Sequence, residues 1–227
     1  VVDHRSVLAA LRARLATLVV CTTGATTLSA TPTGYARTTG SFFTDGFAPG
    51  MELLASGFAL AANNGRSIVI TVAALTLTVR KVGGTSTDAA AAGRTLSVGV
   101  PAAFGPANTD LVGVHGVPSL EEEYKAGPLD VRSIGPQAAI LALPTYILNV
   151  CFDDDGPVEA IGTDAPYRYA GAILALFPPE LLMPLSTGEF LRVRADQAPY
   201  QDDLPRDTTG SVVVITIPLR VQTYNSI

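Results

Sequence analysis

The sequence predicts an α+β fold: a mixed or antiparallel sheet with packed helices, interrupted by an inserted small all-β barrel or sandwich. Three observations carry this expectation. Apolar residues recur at helical spacing near the start of the chain and again around residue 170. Between residues 22 and 101 the texture changes to Thr, Ala and Gly with short alternating runs broken by turn signals, the pattern of strands. The last third mixes alternating runs with a single helical stripe.

The first element is a helix. Asp3 is positioned as its N-cap, and Leu8, Leu11, Leu15 and Leu18 form its apolar stripe, with Arg5, Arg12 and Arg14 mostly off that face. Strands are then expected at residues 26–30, 51–56, 66–72, 75–82 and 94–98, with Asn63-Asn64-Gly65 and Gly83-Gly84 as turns. Gly46 and Pro49-Gly50 turn the chain into a strand, and Asn64-Gly65 is read as the positive-φ pair of a tight hairpin. Several short strands in one segment suggest a small barrel or sandwich.

Beyond a Pro- and Gly-punctuated stretch, residues 145–152 alternate so that Tyr146, Leu148, Val150 and Phe152 share a face. Thr163 or Asp164 caps a helix with Pro166 in its first turn and a stripe of Ala170, Ile173, Leu174 and Phe177, ended by Pro178-Pro179. Strands follow at 189–195 and 211–223, where Pro218 either splits the last one or marks it as an edge. The first helix cannot bury its stripe alone, and the last third supplies a sheet with a free face. Residues 1–21 are therefore expected to pack on 102–227, with 22–101 as an insertion.

Charged residues make up only 15% of the 227 residues and hydrophobic ones 48%, against roughly 25% charged in ordinary soluble domains. The longest apolar stretches are interrupted, by Arg12 and Arg14 in one case and by Pro144 and Asn149 in the other. Neither reaches the roughly 18 consecutive apolar residues of a membrane span. The chain also opens without the layout of a signal peptide. Its surplus apolar surface is expected to meet other copies in a stable homo-oligomer assembled in the cytoplasm. The net charge of −5 is scattered, with no basic stripe for tight nucleic-acid binding. Cys21 and Cys151 read as two buried thiols rather than a bridge.

Catalytic chemistry finds few candidates. His4 and His115 have no partners at zinc spacing, and each reads as a solvated or locally bonded histidine. Asp153-Asp154-Asp155-Gly156 fails as a calcium loop because aligning Gly156 puts Cys151 at the first ligand position; it reads as a polar turn. Glu121-Glu122-Glu123 has no matching acid elsewhere and reads as a solvated turn or helix start. Phosphate loops and the G-x-S-x-G elbow are absent. The expectation is a non-enzyme with no cofactor and no metal. Arg192 and Arg194 alternate on one strand face, and two readings stand: contact with an acidic partner or neighbouring subunit, or a solvent-facing surface. Tyr224 and Asn225 either anchor the end of the chain or fray with it.

Three stretches together resemble the tail terminator family of long-tailed bacteriophages: the opening helix from Val2 to Leu18; Tyr146–Phe152 with Pro166–Pro179, ending in Phe177-Pro178-Pro179; and 187–194 followed by 214–225. The segment 22–101 departs from the family's compact pattern. Within it, 42–51, Ser56-Gly57-Phe58 and Asn63-Asn64-Gly65 resemble a small β-module that recurs in phage particle proteins. The resemblance implies a tail-terminator-like core (1–21 and 102–227) and a virion protein at the head-proximal end of the tail. It implies a ring, usually of six subunits, that caps the tail-tube protein, stops tube growth and offers a face to the head-tail connector or stopper. DNA would pass through the lumen without specific binding. A neck, connector or tail-tube subunit is the nearest competing reading. A carbohydrate-binding adhesive β-module is a more distant one, because the chain has no Trp and few aromatics.

Overall fold

A computed structural model describes residues 4–24, 26–106, 118–125, 129–134, 137–142, 145–153, 164–178, 181–185, 190–195, 198, 200–205 and 211–224. These residues form a mixed α+β fold, mostly strands in two sheets with few helices. In chain order they are α1 (His4–Leu15), β1 (Val19–Thr22), β2 (Leu28–Thr31), β3 (Gly34–Arg37), a single helical turn α2 (Phe42–Asp45), β4 (Glu52–Ser56), β5 (Gly65–Val72), β6 (Thr76–Arg80), β7 (Asp88–Ala91) and β8 (Thr95–Gly99). Then come β9 (Ala103–Pro106), β10 (Ser119–Lys125), β11 (Leu129–Ile134), β12 (Gln137–Ala142), β13 (Thr145–Asp153), α3 (Asp164–Leu176), β14 (Leu182–Pro184), β15 (Phe190–Ala195), β16 (Tyr200–Pro205) and β17 (Ser211–Tyr224).

The first sheet holds eight strands in the order β1-β8-β4-β5-β6-β3-β2-β7, with every neighbouring pair antiparallel. Its inner face carries Leu28, Tyr35, Leu53, Val69, Leu77 and Leu96, all at most 2% exposed. Tyr35 packs against Phe58 with ring centroids 5.1 Å apart. The five strands expected in this segment are present with ends shifted by a few residues. Strands β1, β3 and β7 were not anticipated, being only four residues each. Gly99 has a reason to be glycine: a Cβ there would lie 2.6 Å from the Leu18 carbonyl oxygen, just where β1 meets β8.

One turn differs from its expectation. Asn64 has φ −91°, and only Gly65 takes a positive value, 97°. The connection from β4 to β5 is therefore a loop, 57–64, with a 3₁₀ turn over Ala61–Asn63, rather than a two-residue hairpin. A tight hairpin needs positive φ at both central residues, and here the Asn64 side chain does the bracing instead, as described below.

The second sheet runs β14-β15-β17-β13-β10-β9, with β16 also on β17, and only β9 pairs in parallel. β11 and β12 pair as a separate ribbon. Tyr146, Leu148, Val150 and Phe152 are each at most 1% exposed, as the alternation predicts, and share their face with Ile217, Leu219, Val221, Leu191 and Val193. Helices α1 and α3 cover that face. From α1, Val7, Leu11 and Leu15 are buried while Leu8 is half-buried; from α3, Tyr169, Ala170, Ile173 and Phe177 are buried. Asp3 and Thr163 lie outside the described residues.

Pro218 neither splits β17 nor sits on an edge. Along one side β17 pairs continuously with β13, Pro218 opposite Ile147. Along the other side its partner changes, β16 reaching Thr216 and β15 starting at Leu219. The residue without an N–H thus falls in the gap between two partners, where no ladder bond is required of it on that side.

α3 touches both sheets: it contacts β13 and β17 of the second and β1 of the first. Tyr169, fully buried, meets Phe152 edge-on with centroids 5.6 Å apart and lies beside the Glu52 backbone of β4. Burial is the main cause that pushes its phenol pKa up. The buried side chains consequently form one continuous cluster through both sheets. Truncating Leu11→Ala is expected to cost about 2–5 kcal/mol, the range for a large-to-small change in a packed core. Urea denaturation measures it; a loss under about 0.5 kcal/mol would mean that α1 contributes no packing.

Candidate functional site

Of the residues singled out in the sequence, Arg192, Arg194 and Tyr224 lie on the neighbouring strands β15 and β17 of the second sheet, while His4 begins α1. Arg192 lies on β15 between buried Leu191 and Val193, so alternation places it on the face away from the helices, and Arg194 follows on the same strand. Arg192 is half-buried and pairs in register with Gln222 of β17 and Leu182 of β14. Arg194 pairs in register with Arg220. Arg220 is the member sequence reasoning missed, although the run Ile217-Pro218-Leu219-Arg220-Val221 alternates and already marked it as outward. Tyr224 is the last residue of β17, opposite Phe190, and its backbone is tied into the sheet. Asn225 lies outside the described residues, as do His115 and 154–156 of the aspartate turn.

Across β17 and β13 lies β10, whose register pairs Glu121 with Asn149 and Glu123 with Ile147. Two strands thus separate β15, which carries Arg192 and Arg194, from the glutamates of β10. Leu182, on the edge strand β14, is 48% exposed.

Glu122 points the other way, and here the expectation of a solvated turn or helix start is corrected. Glu121–Glu123 belong to β10, and alternation turns Glu122, together with Leu120, onto the apolar face beneath α1. Its side chain is only 5% exposed. Arg12 of α1 donates to Oε1 through Nε at 2.7 Å and through Nη2, and the Tyr146 hydroxyl donates to Oε2. Burial, then the hydrogen bond to the Glu122 carboxylate, push the Tyr146 phenol pKa up, and the Glu122 hydrogen bond raises Arg12. Arg14 completes the seam by donating to the Leu176 carbonyl at the end of α3, 3.0 Å away.

Three further ion pairs brace the first sheet. Glu52 accepts from Arg66 at 3.0 Å and from the Ala102 N–H at 2.7 Å, fixing the link that leads to β9. Arg37 binds Asp45 and lies 5.0 Å over the Phe42 ring. Arg94 donates to Asp88 at 2.7 Å, with side chains 5% and 8% exposed, and lies 4.8 Å over Phe58. Asp88 also accepts from Ala59 N, Leu60 N and Asn63 Nδ2. Burial by itself would raise the Asp88 carboxyl, but Arg94, the Leu60 N–H and the Asn63 amide outweigh it and hold the pKa below the ordinary carboxylate value.

Each of these four carboxylates is thus paired with an arginine. Among the described residues no three His, Cys, Asp or Glu converge as metal ligands, and no helix is long and apolar enough to cross a membrane. Cys21 and Cys151 are buried and form no disulfide. Burial pushes the Cys21 thiol up to about 12, with Arg168 opposing and Asp45 adding. No family model, curated protein or solved structure matches this chain.

Replacing Glu122→Ala is expected to destabilise by about 1–3 kcal/mol, because the buried Tyr146 hydroxyl loses its acceptor and Arg12 its counter-charge. The denaturation midpoint reads this out, and an unchanged midpoint would remove Glu122 from the account. For Asp88 the depressed pKa means that its contribution is present at pH values above the unfolded value, about 4, and is lost as pH falls through the folded value. Asp88→Asn should therefore lower the urea midpoint at pH 7 by more than at pH 3. An equal difference at both pH values would show that ionisation of Asp88 plays no part.

Proposed function

We propose that the chain is a structural ring subunit, the tail terminator of a long-tailed phage, which caps the head-proximal end of the tail tube and joins it to the head connector. One observation carries the reading. The stretches that resemble the family come from opposite ends of the sequence, yet α1, β13, α3, β15 and β17 pack as one layer of two helices on one sheet. In the same reading 22–101 is the inserted module, supported by a first sheet whose ladders include none of β9–β17. A ring needs complementary surfaces rather than titratable groups, in keeping with a chain that is 15% charged.

The arginine-bearing strand β15 and the glutamate-bearing strand β10 lie near opposite edges of the second sheet, which suits a head-to-tail contact between subunits. Tyr224, on β17 opposite Phe190 of β15, would lie near that contact. A weakly acidic lumen would let DNA slide without sticking.

Purified protein mixed with its tail-tube partner is expected to cap and shorten the tubes, with rings visible by electron microscopy. Arg194→Glu should reduce ring yield in the same micrographs. Tubes growing unchecked beside a protein that scatters as a monomer at every concentration would overturn the proposal.

A further inference from the structure

The loop 57–64 ends in an Asn-Gly step whose carbonyl meets a lysine ammonium while its side-chain amide is locked. Both halves follow from the contacts of Asn64. Its Oδ1 accepts from the Phe58 N–H at 2.9 Å, and its Nδ2 donates to the Phe58 carbonyl at 2.8 Å and the Leu60 carbonyl at 3.2 Å. Lys81 Nζ donates to the Asn64 backbone carbonyl. Gly65 offers no side chain to hinder approach to its nitrogen and takes a positive φ of 97°.

We infer that Asn64 is a self-modification site of this chain, primed for deamidation by Lys81 and Gly65 and kept intact by the amide clamp. In the reaction the Gly65 nitrogen loses its proton and bonds to Asn64 Cγ, the Cγ–Nδ2 bond breaks, and ammonia leaves. Water then opens the succinimide to aspartate or isoaspartate, so the net change is one water consumed and one ammonia released. An ammonium group on the Asn64 carbonyl draws electrons from the Asn64–Gly65 peptide and makes the Gly65 N–H more acidic. Ring closure, however, requires Cγ to leave the position that three hydrogen bonds enforce, and the leaving nitrogen is tied to two carbonyls.

The clamp is itself anchored. Asp88 holds Ala59 N, Leu60 N and the buried Asn63 amide, and Ser86 N binds Asn63 Oδ1 at 2.8 Å. Reaction at Asn64 therefore requires the loop to open first, and its rate reports that opening. The product cannot rebuild the clamp. A carboxylate facing the Phe58 and Leu60 carbonyls replaces a donor by an acceptor, and isoaspartate adds a backbone carbon just before Gly65, whose register opposite Ala55 starts β5. The change is irreversible, so reaction at Asn64 leaves a permanent record that the loop has opened.

The test follows Asn64 by peptide mass mapping and isoaspartate assay of the full chain at mildly alkaline pH, natively and in denaturing urea. The native rate is expected to be at least about tenfold lower, tenfold being the effect of roughly 1.4 kcal/mol of local opening. Equal rates would overturn the inference. Asp88→Ala should then speed native loss at Asn64 several-fold while Asn149, within β13, stays unchanged. Adding Lys81→Met should slow it again. If hydrogen exchange shows the loop opened in Asp88→Ala and Asn64 still reacts at the wild-type rate, the clamp is not what protects it. Should that variant fail to fold, the comparison of native and urea-unfolded wild type decides alone.

Discussion

A carboxylate on the apolar face of a sheet dictates where the first helix must lie. Glu122 stands beside Leu148 in the ladder and under α1, where an unpaired charge would cost several kcal/mol. Two donors meet it, one from the neighbouring strand and one from α1. Because Arg12 flanks Leu11 and Leu15, turning the helix by one residue, about 100°, would break the ion pair and expose the leucines together. With α1 so placed, Arg14 reaches the last carbonyl of α3, one of the acceptors a helix end leaves open. One ion pair thereby sets the layer of two helices that covers the second sheet.

α3 extends the same logic to the first sheet. Tyr169 is buried against Phe152 on one side and lies beside Glu52 on the other, while Glu52 fixes the Ala102 N–H at the passage between sheets. The core is continuous, and Glu52 holds the crossing of the chain between the sheets. Among the described residues, Arg12, Arg37, Arg66 and Arg94 are engaged in ion pairs with such carboxylates.

Sequence periodicity made the larger elements legible. The face of Tyr146, Leu148, Val150 and Phe152, the stripe of α3 and five strands of the first sheet were readable because burial on one side imposes a repeat of two or of about 3.6. Four-residue strands such as β1, β3 and β7 were not readable, since two repeats of a period carry no signal above the Thr- and Ala-rich background. Of the outward arginines, Arg192 and Arg194 were visible as a pair. Their meeting with Arg220 depends on a register between segments about 25 residues apart.

By itself, then, the sequence determined the class of fold, the two helical stripes, the buried thiols and the lack of any recognisable catalytic motif, all properties of local pattern and composition. Tertiary structure alone decided the sense of Glu122, the place of Pro218 and the form of the loop at Asn64. Each depends on a partner distant in the chain: Arg12 for the carboxylate, the change from β16 to β15 for the proline, Lys81 and Asp88 for the loop. A polar residue's pattern states which way it could face, and only the groups brought against it determine whether burying it is affordable.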